Sequence, residues 1–531
     1  MSRRTAPAAL LLTAACLAGA AALPGQAGAT AAPAVAGPLV KAIVAFDAPT
    51  DRADLLGLER LGVVSGVQLR SIDAVAVTAP MAVLQAARAL PGVTAVVPQR
   101  KITLDLYRSK EQIRANGVAE PDTYTSGGAQ RTRDGVTGEG VTVGIIDSGI
   151  FAPHPGFGDR VVGGYNFELS SLADAGLLTT AQLDTYSEST GELALQDEVG
   201  HGTHVAGTVG GDGGGTQTDR DLSGVAPDVS LVSLKIASAV NGVVEDIGFE
   251  ENALAAIDYV IRHPDLGIRL TNNSWGLLDA EPGTIPGGMP TDFDAANAMV
   301  EKASAAGVTM VFSAGNDGPE PGSINKDPGG TPSAITVAAA CKGNAPGQGG
   351  SCPAGQITGF SSRGAADGTG PQVDVSAPGD QILAPVSPSV LAPLTECADP
   401  AEPLYYCISG TSMAAPHVAG VVALMQQVNP ELLPAQAERC LTTTAADLLA
   451  VGRDIHSGFG MVDTVEALRC ANNLRAAAVV PPTTPVPPAA PPAPVKQPSA
   501  GPLPATGATP LLPLAGLVVL GAAALVRRRL S

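Results

Sequence analysis

Aromatic residues make up 3% of this 531-residue chain, and it has one tryptophan. A core of packed rings is therefore excluded, and the interior must be built from Ala, Val, Leu and Ile. Charge is scarce as well, at 15%, and it is lopsided: 31 Lys and Arg stand against 50 Asp and Glu, for a net charge of −19. That balance argues against nucleic acid as a partner and for a soluble, acidic surface. The seven cysteines include no CxxC pair and no accompanying histidine, which weakens a metal-site reading. What the chain has in excess is 63 Gly and 45 Pro, so turns are frequent, and its length calls for several domains.

Three glycine-flanked stretches carry chemistry. GTSMAAPHVAG reads as a tight turn at Gly410 running into a helix of small apolar residues, with Thr411 and Ser412 at its start. Pro416 is expected within about the first turn, where a missing N–H costs little. A serine there has backbone N–H groups and a helix dipole beside it that favour an anion, although most serines at helix starts are only caps. VTVGIIDSGI is a β-branched apolar run that should be a buried parallel strand ending at Asp147, the edge where sites form in such sheets. HGTHVAGTVGG places His201 at the start of another small-residue helix. Asp147 could instead cap a turn, and His201 could be a surface residue. Together the three supply a nucleophile, a base and an acid to hold the base's tautomer.

These strings resemble the three active-site signatures of the subtilisin-like serine proteases, from roughly Val136 to Leu468. The resemblance implies a catalytic triad of Asp147, His201 and Ser412, with Asn316 in FSAGNDG as the side-chain oxyanion donor. His204 and His417 fall at non-catalytic positions of the signatures, while His154, His263 and His456 have no comparable claim. Ser274, Trp275 and Gly276 in NNSWG resemble one wall of the family's substrate cleft, and Ala314 and Gly315 belong to the other. An extended peptide would pair with the first wall as an added strand. Catalysis requires no cofactor. A structural calcium ion is left open and unassigned, because GGDGGGTQTDRD does not match the family's best-known calcium loop, and no metal ligand is named.

Alternating strand-like and helix-like runs between residues 105 and 474 predict an α/β fold, a parallel sheet with helices on both faces. Residues 38–102 follow a β-α-β-β-α-β order, the ferredoxin-like split βαβ arrangement. This segment is similar to the inhibitory propeptide of many subtilases, which implies a folding aid cut off by the enzyme itself, between Val97 and Gly138. A small independent binding domain is the alternative.

Residues 1–29 follow an export-signal pattern, with Arg3 and Arg4 before an apolar run and small-residue cleavage after Ala29. A lipoprotein reading through Cys16 is weaker. Six cysteines then remain in an exported protein, and sequence proximity favours Cys341–Cys352, Cys397–Cys407 and Cys440–Cys470 among fifteen connectivities. A Pro-rich spacer is expected over 475–502. At 503–531 come LPATG, an apolar run from Leu511 to Val526 and three arginines, which look like a sortase cell-wall sorting signal. That resemblance implies cleavage between Thr506 and Gly507, attachment to peptidoglycan and a hydrophobic transmembrane hold until transfer; an ordinary tail anchor is the alternative.

The expectation is a secreted, wall-anchored serine endopeptidase, a monomer made as a proenzyme, acting on polypeptides and on its own propeptide. A catalytically silent surface adhesin of the same fold is the reading from a different class.

Overall fold

A computed structural model describes residues 37–99, 102–104, 135–167, 189–190, 194–213, 222–238, 250–277, 294–324, 328–342, 352–388, 397–399 and 402–479. The chain divides into a unit ending at Val480 and a second from Pro481 onward. The export-signal segment, Thr506, Gly507 and the apolar run at 511–526 lie outside the described residues. Among the described residues no helix is long and apolar enough to cross a membrane.

The first elements are β1 (Leu39–Phe46), α1 (Arg52–Leu61), β2 (Ser65–Leu69), β3 (Ala74–Pro80), α2 (Met81–Ala87) and β4 (Val93–Pro98). They form an antiparallel sheet of order β2-β3-β1-β4, the ferredoxin-like arrangement. Local chemistry sets the bounds of α1. The Asp51 carboxylate accepts from Ala53 N (2.6 Å) and Asp54 N (3.1 Å), Asp54 reaches back to Asp51 N (2.9 Å), and Gly62 ends the helix at φ 102°. Strand alternation gives this sheet two faces: Ala42, Val44 and Val77 pack on α1 and α2, while Ile43, Leu69 and Ala76 face the rest of the molecule. The sequence pattern predicts a closing strand running to Ile102. The strand stops at Pro98, and Ile102–Leu104 forms a separate strand, β5.

From residue 138 the chain builds an eight-stranded sheet. Its strands and the helices among them are β6 (Thr142–Asp147), β7 (Val161–Asn166), β8 (Ser189–Thr190), α3 (His201–Gly210), β9 (Ser230–Lys235), α4 (Glu250–Arg262), β10 (Ile268–Asn273), α5 (Ala295–Ala305), β12 (Thr309–Ser313), β13 (Ala334–Ala340) and β14 (Val375–Pro378), while β11 (Trp275–Leu277), which follows β10, pairs with β5 in a separate two-stranded sheet. The order is β14-β13-β12-β10-β6-β9-β7-β8, parallel throughout except for the antiparallel edge strand β8. β15 (Ile382–Pro385), β16 (Cys397–Asp399) and β17 (Glu402–Ile408) make a small sheet, and α6 (Thr411–Val428), α7 (Pro434–Thr444) and α8 (Thr464–Val479) follow. α8 extends five residues past the expected boundary at 474.

Near-continuous apolar strands fit a sheet covered on both sides. Val143, Ile145, Leu231 and Val311 point to the layer containing α3, α6 and α8, and their neighbours Ile146, Val232 and Phe312 point to the layer of α4 and α5. The second face of the N-terminal sheet joins that latter layer, with Ile43, Val67 and Leu69 in one cluster with Leu254, Ile257 and Tyr259. Each such fully buried aliphatic side chain contributes about 2 kcal/mol. Polar contacts fix the docking: Lys41 Nζ lies 2.6 Å from Glu251 Oε1, Gln99 Nε2 donates to Glu251 Oε2 (3.0 Å), and Ser71 N donates to Asp258 Oδ1 (2.9 Å).

Two disulfides follow the expected pairing, Cys341–Cys352 and Cys440–Cys470, with Cα separations of 5.8 and 5.6 Å. Cys407 is disulfide-bonded as well, and the β16–β17 register sets its Cα opposite that of Cys397.

Candidate active site

Asp147 ends β6, a central strand, and is fully buried at the sheet's carboxyl edge. His201 opens α3, and its Nδ1–H donates to Asp147 Oδ1 at 2.7 Å with both side chains out of water. Ser148 N donates to the same oxygen (2.7 Å), whereas Oδ2 has no donor among the described residues. The flanking glycines have a steric reason. A Cβ on Gly202 would overlap the Gly149 carbonyl, and one on Gly149, at φ 109°, would overlap the Gln196 carbonyl. The carboxylate and the imidazole can meet only where both loops lack side chains.

Ser412 is the second residue of α6, and α6 packs beside α3 through Val205, Val209, Val418 and Val422. Its hydroxyl donates to the Ser274 carbonyl at 2.9 Å, and Ser274 Oγ donates back to the Ser412 carbonyl at 2.7 Å. Pro416 does not fall in the first turn as the sequence suggests; it lies inside the helix.

Asn316 is half-buried, with its amide oriented by Thr411. Thr411 N (3.1 Å) and Thr411 Oγ1 (3.0 Å) both donate to Asn316 Oδ1, while Gly315 N donates to Thr411 Oγ1 (3.1 Å). A backbone N–H can only donate, so the acceptor it meets is the amide oxygen, and Nδ2 is left as the outward-facing donor.

Trp275 is packed edge-on against Phe312 (5.4 Å between centroids), and its side chain is buried. Its backbone does what an edge strand does. β11 pairs antiparallel with β5, with Trp275 opposite Leu104, Gly276 opposite Thr103 and Leu277 opposite Ile102. The wall expected to hold an extended peptide thus holds one of the chain's own.

Several supporting residues escape a reading of the sequence. Asp197, fully buried, accepts from Ser148 Oγ (2.9 Å), Gly200 N (2.8 Å), Thr203 N (2.8 Å) and Thr203 Oγ1 (2.6 Å). It fastens the residue after Asp147 to the loop and helix carrying His201. Burial pushes its carboxyl above the usual range, and these donors pull it back down. An acid four residues ahead of HGTH is the signal that could have found it. Lys235, buried opposite Asp147, pairs with Glu198 and with the Gln196 carbonyl (3.2 Å), holding the same loop. His204 and His417 bond backbone carbonyls, of Ile382 (2.9 Å) and Met413 (2.7 Å). Burial lowers the His204 pKa to about 3, so it stays neutral at working pH. Among the described residues one trio has metal-ligand proximity, Cys341, Cys352 and Asp380, and its two sulfurs are already joined to each other.

A carboxylate–imidazole pair at the carboxyl edge of a parallel sheet, with a serine opening the adjacent helix, defines an α/β protein of the serine-peptidase class. The profile of the subtilase family matches residues 138–461, and the chain belongs to that family, the subtilisin-like serine peptidases. It is similar to serine protease AprX of Bacillus subtilis (strain 168), 30% identical over 343 residues, which cover 63% of this chain and 68% of that one. Subtilisin DY of Bacillus licheniformis is 28% identical over 335 residues, 63% of this chain and 92% of the relative. Among solved structures, fervidolysin from Fervidobacterium pennivorans shares the fold, with a TM-score of 0.57 and 24% identity. That match covers 82% of this chain and 61% of fervidolysin, so the chain spans less than two thirds of that structure.

Proposed function

We propose that the protein is an exported serine endopeptidase, made as a self-processed proenzyme and held at a cell wall. The observation that carries the activity is the buried 2.7 Å pair between Asp147 and His201 beside the helix whose first turn carries Ser412. In this reading Ser412 attacks the peptide carbonyl and His201 takes its proton, then returns it to the leaving amine. Asp147 holds the imidazole in the tautomer whose Nε2 accepts, and stabilises the imidazolium that forms. Asn316 Nδ2 and the Ser412 N–H hold the oxyanion. Polypeptides are the substrate class, bound by strand pairing to Ser274–Gly276 on one side and Ala314–Gly315 on the other. The chemistry requires no cofactor.

Residues 38–102 are read as the inhibitory propeptide, because their sheet docks on α4 and α5 and the next strand, β5, occupies the strand-pairing edge. Export rests on the N-terminal signal pattern, and agrees with relatives named as extracellular proteases, such as that of Xanthomonas campestris pv. campestris. Wall anchoring rests on LPATG at 503–507 with the apolar run and arginines behind it, joined to peptidoglycan through Thr506 by a sortase.

A fluorophosphonate probe tests the activity: mature protein should label at Ser412 and hydrolyse casein. Protein that matures yet neither labels nor cleaves would support the silent-adhesin reading.

A further inference from the structure

In an α-helix the carbonyl of residue 412 accepts from the N–H of residue 416. Residue 416 is a proline and has no N–H, so the helix cannot satisfy the backbone of its own candidate nucleophile. Ser412 is fully buried, away from bulk solvent. The missing bond comes from another element: Ser274, between β10 and β11, donates its hydroxyl to the Ser412 carbonyl at 2.7 Å. Direction is enforced from behind. Asn272 Nδ2 donates to Ser274 Oγ at 2.8 Å, which fills an acceptor site on that oxygen and leaves its single proton for Ser412. Asn272 and Ser274 are themselves fully buried.

Resting on the serine-peptidase reading, we propose that the Ser274 side chain is a positioning device for the nucleophile, supplying the hydrogen bond that Pro416 withholds. The two serines then clamp each other twice, since Ser412 Oγ also meets the Ser274 carbonyl at 2.9 Å. The clamp has a consequence that an ordinary helix bond would not. Ser274 is continuous with β11, the strand that pairs with an extended peptide. The wall that sets the register of the bound chain and the backbone that carries the attacking hydroxyl are therefore tied to one residue. Movement of one carries the other, and the distance between hydroxyl and scissile carbonyl is kept constant. NNSWG meets substrate through its backbone; its serine side chain faces the opposite way, into the catalytic helix.

The test compares Ser274→Ala, Ser274→Thr, Pro416→Ala and the Ser274→Ala/Pro416→Ala double variant of the matured full chain. Misplacing a reacting group by a fraction of an ångström is worth about tenfold to a hundredfold in rate. Ser274→Ala should lose that much in kcat and in the rate of fluorophosphonate labelling, with KM little changed and a thermal midpoint lower by only about a few degrees, the cost of the stranded Ser412 carbonyl. Ser274→Thr, which keeps the hydroxyl, should recover most of it. In the Pro416→Ala background a backbone N–H again faces the Ser412 carbonyl, so the further loss from Ser274→Ala should shrink to a small fraction of its value in the parent. Where the alanine variant does not accumulate, Ser274→Cys, a weaker donor of similar volume, should give an intermediate kcat. Wild-type kcat in Ser274→Ala, or an equal loss in both backgrounds, overturns the proposal. A wild-type protein that neither labels nor cleaves overturns the peptidase reading instead.

Discussion

The Thr411 hydroxyl donates to Asn316 Oδ1 at 3.0 Å and accepts from Gly315 N at 3.1 Å, so the residue before the proposed nucleophile sets the orientation of the proposed oxyanion donor. Removing that donor as Asn316→Ala should lower kcat about a hundredfold to a thousandfold, a magnitude carried over from subtilisin, where loss of the corresponding side-chain amide has that effect. Thr411→Val keeps the backbone N–H but loses the hydroxyl, and should cost kcat about tenfold. Because both act on one amide, the double variant should be no slower than Asn316→Ala alone. Steady-state kinetics on a chromogenic peptide checks all three.

Asp147→Asn retains shape but presents the wrong partner to the imidazole. It should lower kcat about ten-thousandfold, leaving the fold intact by circular dichroism. Residual activity should rise with pH as hydroxide replaces the general base, and a pH–rate series reads that directly.

Ser412→Ala should accumulate uncut protein that still carries the Leu39 segment, visible by intact mass. Purified Ser412→Ala that matures without added protease would rule out self-processing.

The docking of the N-terminal domain depends on a nearly dry ion pair, with Lys41 and Glu251 side chains 11% and 6% exposed. Glu251→Ala strands Lys41 and removes the partner of Gln99, a change of the kind that costs about 3 kcal/mol at buried sites. The severed domain should then leave at least tenfold faster, measured as the rate at which activity appears after processing.

Two carboxyls of the catalytic region should each favour the folded state in acid. Burial raises Asp374 from 3.8 to about 6, and burial together with the nearby Asp374 charge raises Glu438 from 4.5 to about 7. Between pH 4 and 7 these two carboxyls bind protons in the folded state that the unfolded state has released, so their contribution falls as pH rises, while His204, lowered from 6.5 to about 3, contributes in the opposite sense below pH 6.5. Asp374→Asn should remove a falling component, so that between pH 4 and 7 its stability rises more steeply, or falls less, with pH than in the parent. Urea unfolding of the Ser412→Ala background, where self-digestion cannot intervene, measures it.

The fold is legible in the chain where burial is two-sided. VTVGIID, VTMVFS and AITVAA are predominantly apolar and show no polar alternation because helices cover both faces, and all three are strands of the large sheet. VVGGYN, which forms β7, is not legible, because a half-buried strand with two glycines offers neither alternation nor β-branched enrichment. Asp147, His201 and Ser412 stand out because glycines flank them, and at Gly149 and Gly202 a Cβ would overlap backbone. Asp197, Thr411 and the Ser274 side chain do not. They act through hydrogen bonds to residues distant in sequence, and a lone Ser, Thr or Asp looks the same whether it caps a turn or braces a catalytic group. Pro416 is misplaced for a different reason: the helix starts at Thr411 as expected, but counting from there makes the proline the sixth helical residue, beyond the first turn.

The pairing of β5 with β11 uses main-chain groups that nearly every amino acid possesses. An edge that reads amides is nearly blind to the letters it is shown; it asks whether a stretch of polypeptide is free to straighten. Folded proteins would pass it unharmed, while frayed or damaged ones would not, and the first straightened stretch to reach that edge is the chain's own.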